Sequence, residues 1–354
     1  VVHSSHLKAH PEKGRTLENE SPTSSGVQEG LVIKSQSGFY TVLTDEEEQV
    51  TARIRGRLKK ERSDTTIVAV GDRVRWQPTS EGGYVIEEVL PRTRALARLK
   101  PLASGRGTRR WDRRGYLREQ EQVIIANPDQ VVFVLACANP APRLRMLDRL
   151  LVGAERQEIP ILICANKVDL IGEERAREIF DIYEEIGYEV LYTSARRGLG
   201  IDALRAHLQD RISALVGPSG VGKTSLLNRL QPGLGLQVKT VSQTTGKGRH
   251  TTTVAELVPL EMGGWVADTP GIRALALFDL EPEEIDAYYP DIVPYVPHCQ
   301  FSDCSHRVEP GCAVQEALEA GAIDAHRYES YVRLHEEHRK LADMYWWGID
   351  EGEG

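Results

Sequence analysis

A chain of 354 residues, 40% of them apolar, has room for two or three domains with at least one substantial core. Its formal net charge of −8 excludes a uniformly basic nucleic-acid binder, although local patches are averaged away in that figure. The longest apolar run, Val131 to Ala138, is too short to cross a bilayer, and the polar first thirty residues lack a signal peptide's hydrophobic stretch. The expectation is a cytoplasmic monomer without a membrane segment.

In chain order, residues 1–26 are rich in Ser, His, Glu and Pro without hydrophobic periodicity, and are expected to form a disordered tail. Residues 27–93 carry short alternating stretches separated by turn residues: Gly30 to Ile33, Phe39 to Leu43, Val50 to Ile54, Val68 to Val74 and Tyr84 to Ile86. Strands packed this closely predict a small β-barrel, with the OB-fold the commonest fit. The row Arg53, Arg55, Arg57, Lys59, Lys60 and Arg62 offers partners to phosphates, while a barrel serving only as a rigid spacer is the alternative.

Residues 94–122 read as a basic linker. From Arg92 to Arg118 ten basic residues face Asp112 alone, a local charge of +9, with Trp111 and Tyr116 interleaved. That composition suits an RNA backbone and stacked bases, and a solvated linker is the other reading.

Residues 123–282 change to apolar strands alternating with amphipathic helices, the pattern of an α/β sheet domain. Val131 to Leu135 and Ile161 to Cys164 are expected as buried strands, with a helix from Leu144 to Glu155 between them. Cys137 and Cys164 read as core thiols. After the second strand comes Asn166-Lys167-Val168-Asp169. A carboxylate at Asp169 can accept both N1–H and the 2-amino group of guanine, a donor pair adenine lacks. Asn166 would brace a neighbouring loop and contact the purine edge, the Lys167 stem would cover the ring, and the Thr193-Ser194-Ala195 loop would present backbone N–H to the guanine oxygen.

The run Gly217-Pro218-Ser219-Gly220-Val221-Gly222-Lys223-Thr224-Ser225 follows another apolar strand. Its glycines let backbone N–H groups converge on phosphates, Lys223 reaches the β and γ groups, and Thr224 would ligate Mg²⁺ at the start of a helix. Asp268, in Asp268-Thr269-Pro270-Gly271, would hold Mg²⁺ through water, with the Gly271 N–H sensing the γ-phosphate. Between them lies the polar loop Gly246 to Thr253, in which Thr251 or Thr252 would meet Mg²⁺. Ile272 stands directly after the Gly271 of that motif and cannot orient an attacking water. His250 is the nearest titratable candidate for that task, with an exposed loop histidine as its alternative. The guanine-reading run precedes the phosphate loop, so the chain has been cut and rejoined around an edge that the chemistry alone fixes.

Residues 283–354 contain Cys299-x4-Cys304-x-His306-x5-Cys312, three thiolates and an imidazole for a closed tetrahedral structural zinc. His298 is a rival ligand, awkward beside Cys299. Helical patterning from Leu318 to Tyr345 follows.

Together these motifs resemble the RsgA/YjeQ family of circularly permuted GTPases, over residues 27–354. The phosphate loop Gly217 to Ser225 and the run Gly248-Arg249-His250-Thr251-Thr252-Thr253 are the most specific matches. The resemblance implies an OB-fold, a permuted P-loop α/β GTPase domain and a mainly α zinc-binding domain. It implies GTP and GDP, Mg²⁺ and one zinc as ligands, the small ribosomal subunit and 16S rRNA as partners, and hydrolysis stimulated by that subunit. It also implies a catalytic role for His250, docking with GTP and release after hydrolysis. The Arg-rich stretch from Gly105 to Arg118 looks longer than that family's pattern. Two competing classes are a nucleic-acid module that GTP merely stabilises and an ATPase using the same loop.

Overall fold

A computed structural model describes residues 26–56, 58, 66–99, 121–234, 255–268 and 280–347. His250, Thr251, Thr252, Gly271 and Ile272, the first 25 residues and the centre of the basic stretch lie outside the described residues.

Strands β1 (Gln28–Gln36), β2 (Phe39–Thr44), β3 (Gln49–Ile54), β4 (Arg73–Pro78) and β5 (Tyr84–Val89) run in the order β1-β2-β3-β5-β4. Pairing of β1 with β4 closes this sheet into the expected five-stranded, OB-like barrel, and only the β3–β5 contact is parallel. Alternate residues point inward, so Val32, Val42, Val50, Ala52, Val74, Trp76 and Ile86 fill the interior while their neighbours meet solvent. The fourth strand begins later than its sequence pattern predicts. Val68 to Gly71 form a buried turn, because Gly71 takes φ +90° and a Cβ there would stand 2.0 Å from the Ala126 carbonyl oxygen. The buried Asp72 carboxylate closes the turn by accepting from the Ala69 N–H at 2.7 Å.

The described ends of the basic stretch pair as an antiparallel ribbon, β6 (Ala95–Leu99) with β7 (Glu121–Ala126). Arg92, counted with the basic cluster, is spent inside the protein: its guanidinium grips Asp72 through two bonds of 2.7 and 2.8 Å. Arg55 likewise pairs with Glu87, and Arg53 lies over the Phe39 ring at 4.6 Å.

The central unit is a doubly wound sheet. Strands β8 (Gln130–Ala136), β9 (Ile161–Asn166), β10 (Glu189–Thr193), β11 (Ile212–Val216), β12 (Ala255–Pro259) and β13 (Trp265–Asp268) run in the order β10-β9-β8-β11-β13-β12. All neighbours are parallel except β12, which runs against β13 and then pairs with β1 of the barrel. Every residue of β8 is buried. Val131, Phe133 and Leu135 face helices α1 (Leu144–Glu155) and α2 (Glu173–Glu185), while Val132, Val134 and Ala136 face α3 (Ile201–Leu208) and α4 (Lys223–Leu230). Burial on both faces explains why the strand reads as an unbroken apolar run.

A 3₁₀ turn at Pro282–Tyr288 and helices α5 (Ala313–Glu319) and α6 (Ala325–Trp347) build the C-terminal unit. Its core of Ile285, Tyr289, Ile292, Tyr331 and Leu334 also takes in Val152 from α1. Beside that contact Arg327 is buried, its guanidinium bound to Asp291 at 2.8 and 3.2 Å and to Asp148 of α1 at 2.7 Å. Among the described residues no helix is long and apolar enough to cross a membrane.

Candidate nucleotide site and metal centre

Parallel strands put their carboxyl ends on one edge of a sheet, and β9, β10, β11 and β13 therefore deliver four loops to the same place. Those loops begin at Asn166, Ser194, Gly217 and Asp268. Between β8 and β11 the winding of the sheet reverses, and the phosphate loop leaves β11 at that point. Leu215 of β11 is in register with Asp268 of β13, so Asp268 ends its strand beside the start of the phosphate loop.

The loop from Gly217 to Gly222 turns directly into α4, whose first residues are Lys223, Thr224 and Ser225. Lys223 Nζ donates to the carbonyls of Gly217 at 2.7 Å and Pro218 at 3.1 Å, which places the ammonium within the span of the loop. Gly222 caps the helix at φ +102°, and a Cβ on it would lie 2.4 Å from Asn166 Nδ2. Gly222→Ala is thus expected to weaken binding of a fluorescent guanine nucleotide by roughly tenfold or more, the equivalent of 1–3 kcal/mol of backbone strain. An affinity equal to the parent's would contradict the role given to this turn.

Asn166 is 1% exposed and joins three loops. Its Nδ2 donates to the Val221 carbonyl at 2.9 Å, and its Oδ1 accepts from Thr193 Oγ1 at 3.2 Å and the Ala195 N–H at 3.3 Å. Lys167, in a left-handed conformation at φ +67°, donates from Nζ to the Gly220 carbonyl at 2.6 Å and to that of Asn139. Burial and the nearby Asp169 act in opposite directions on this ammonium, and burial prevails, lowering its pKa. The Lys167 bond to Gly220 ties the loop after β9 to the loop after β11, a contact beyond the one with a purine ring expected of its stem. No spacing signals that bond, because the acceptor is a backbone carbonyl. Asp169 sits in the 3₁₀ turn Val168–Leu170, where Ser194 Oγ donates to its Oδ1 at 2.6 Å. A cavity of about 290 Å³ opens between Pro140, Arg143 and Met146 on one side and Pro218, Ser219 and Val221 on the other, so the α1 end of the sheet also borders the phosphate loop.

Cys299, Cys304, His306 and Cys312 converge, with one ligand atom from each lying within 4.8 Å of the others. Tetrahedral zinc, with bonds of about 2.3 Å to sulfur and 2.0 Å to nitrogen, requires S···S and S···N separations of about 3.8 and 3.5 Å. Cys299 Sγ stands 3.9 Å from Cys312 Sγ, and His306 Nδ1 stands 3.4 and 3.6 Å from those two sulfurs. The donors fit zinc. His298 is exposed and outside the cluster.

The barrel and the sheet domain each match a known family: the RsgA N-terminal domain over residues 29–86 and the RsgA GTPase over residues 110–278. The small ribosomal subunit biogenesis GTPase RsgA of Gemmatimonas aurantiaca is 43% identical over 310 residues, 87% of this chain and 96% of that protein. This chain belongs to the RsgA GTPase family. A second RsgA, from Moorella thermoacetica, is 43% identical over 305 residues, 86% of this chain and 95% of its own length. The crystal structure of YjeQ from Thermotoga maritima superposes with a TM-score of 0.68 at 36% identity, covering 88% of this chain and 98% of that one. YloQ, described as a circularly permuted GTPase, gives 0.66 at 31% identity over 91% and 98% of the two chains.

Proposed function

We propose that the protein hydrolyses GTP during late maturation of the small (30S) ribosomal subunit, docking on 16S rRNA as a cytoplasmic monomer and leaving after hydrolysis. The observation that carries this reading is the convergence of the loops after β9, β10, β11 and β13 on one sheet edge, in a chain of this family.

In this reading Asp169 selects guanine, and Ser194 and Ala195 hold the far side of the base. The N–H groups from Ser219 to Thr224 and the Lys223 ammonium surround the phosphates. Thr224 and Asp268, joined by Thr251 or Thr252, would hold Mg²⁺, which when bound would neutralise charge that develops on the phosphoryl oxygens. Gly271 would follow the γ-phosphate through its N–H. The reaction is an in-line attack by water, driven by positioning and charge neutralisation without a covalent intermediate. With Ile272 in the place where a glutamine would orient that water, His250 takes the role. The zinc held by Cys299, Cys304, His306 and Cys312 is structural, since four protein ligands leave no open position.

Single-turnover hydrolysis with and without small subunits tests the reading. The wild-type protein should be slow alone and strongly stimulated by the subunit. His250→Ala should bind GTP as before yet lose about 10²–10⁴-fold of the stimulated rate, the usual contribution of a positioned proton acceptor. Equal rates in the variant and its parent would remove His250 from the mechanism. An absence of stimulation in the wild type would favour a binding module that GTP merely locks in one conformation.

A further inference from the structure

The two ring nitrogens of His306 face different partners. Nδ1 lies 3.4 Å from Cys299 Sγ and 3.6 Å from Cys312 Sγ, while Nε2 lies 3.1 Å from Oδ2 of Asp286, 20 residues earlier in the chain. The ring is 1% exposed, so no solvent competes for either nitrogen. An ionised carboxylate can only accept a hydrogen bond. Nε2 then carries a proton, and the neutral ring presents its Nδ1 lone pair to the sulfurs.

We propose that Asp286 is the carboxylate partner of the metal centre, fixing His306 in the tautomer and orientation that ligate through Nδ1. The proposal rests on the zinc reading above. A ligating histidine usually donates its second N–H to a carboxylate or carbonyl, which sets the ring and raises its basicity, and loss of that partner weakens metal binding about 10–100-fold.

Both residues are held from independent directions. Asp286 belongs to the 3₁₀ turn Pro282–Tyr288, whose Pro282 and Ile285 are buried, so its backbone is anchored in the core of the C-terminal unit. His306 takes φ +59°, a conformation uncommon outside glycine, and its carbonyl accepts from Tyr328 of α6 at 2.7 Å. Tyr331 holds the preceding carbonyl, that of Ser305, at 3.1 Å. Glu309 clamps the loop from the other side by accepting from the N–H groups of Ser305, Arg307 and Val308 at 3.0 to 3.1 Å. The backbone of His306 is therefore set by α6, the Tyr331 ring packs against its imidazole at 6.0 Å, and Asp286 supplies the hydrogen bond to Nε2 that the loop itself does not.

Zinc affinity of the full-length chain, measured by competition with a chromophoric chelator, tests the assignment. Asp286→Ala should weaken zinc about 10–100-fold. Asp286→Asn, whose amide oxygen still accepts the Nε2–H but carries no charge, should lose less. In a His306→Cys background, where a thiolate replaces the imidazole, Asp286→Ala should cause no loss. An equal loss in both backgrounds would show a merely structural carboxylate and overturn the proposal, as would undiminished affinity with His306 present. Wild-type protein that takes up no zinc would overturn the zinc reading along with it. Should the alanine variant fail to fold, ¹⁵N spectra of the zinc-loaded wild type decide the matter: a protonated Nε2 and metal-bound Nδ1 support the proposal, and the reverse assignment rejects it.

Discussion

Asp169→Asn is expected to abolish the preference for guanine. The carboxylate stands in a 3₁₀ turn at the carboxyl end of β9, with Oδ1 accepting from Ser194 Oγ at 2.6 Å, so a neighbouring loop sets its orientation before nucleotide binds. Guanine bound as proposed would present N1–H and a 2-amino group to it. Hydrogen bonds to a charged acceptor contribute about 1.5–3 kcal/mol each, and two of them amount to roughly 3–6 kcal/mol, or about 10²–10⁴ in affinity. Asparagine keeps one acceptor and turns an amide donor toward donors. Direct binding of fluorescent GTP, ATP and XTP analogues should show the wild type rejecting ATP, the variant losing GTP, and XTP recovering because xanthine carries an oxygen where guanine has its amine. Unchanged guanine selectivity in the variant would reject the assignment of Asp169.

The second large effect is structural. Arg327→Met should destabilise the protein by about 3–5 kcal/mol, the usual penalty for removing one member of a buried charge network. Arg327 and Asp148 are each 1% exposed, and the guanidinium also lies 4.6 Å from the centre of the Tyr289 ring. Burial raises the pKa of the Asp148 carboxyl, but the His326 imidazole 3.2 Å away, the charge of Arg327 and the bond from Ser330 outweigh it, and the net shift is downward. Without Arg327 both Asp148 and Asp291 would remain buried with their main counter-charge gone. The loss is a substantial part of a typical domain's 5–15 kcal/mol. Urea unfolding should show it, and simultaneous apolar replacement of Arg327, Asp148 and Asp291 should restore much of it, because no charge is then stranded. A loss below about 1 kcal/mol for the single change would mean that solvent reaches the network. Since Asp148 lies on α1 and Arg327 on α6, the same experiment reports how firmly the C-terminal unit is fastened to the helix that borders the phosphate loop.

What the sequence discloses follows from how local each interaction is. The phosphate loop, the Asn166 to Asp169 run and the cysteine-histidine spacing are contiguous, and their chemistry constrains residue type at each step. The buried strand at Val131 to Leu135 and the helix from Leu144 to Glu155 were legible because hydrophobic periodicity reports burial directly. The fourth barrel strand was not, since Val68 to Val70 are apolar enough to mimic one while Gly71 and the buried Asp72 turn the chain. Arg92 shows the limit of counting charges: it lies in a strongly basic stretch yet is absorbed by a carboxylate 20 residues away. The bond of Arg327 to Asp148 spans 179 residues, and that of His306 to Asp286 spans 20, with no periodic pattern to announce either.

Hydrogen exchange during a GDP titration tests the central claim most directly, because it reads each loop separately at one ligand concentration. Residues 166–169, 194–195 and 217–224 should gain protection together, with a single midpoint, although they are scattered along the chain. Protection confined to 217–224, with 166–169 unaffected at saturating GDP, would contradict a shared guanine-nucleotide site.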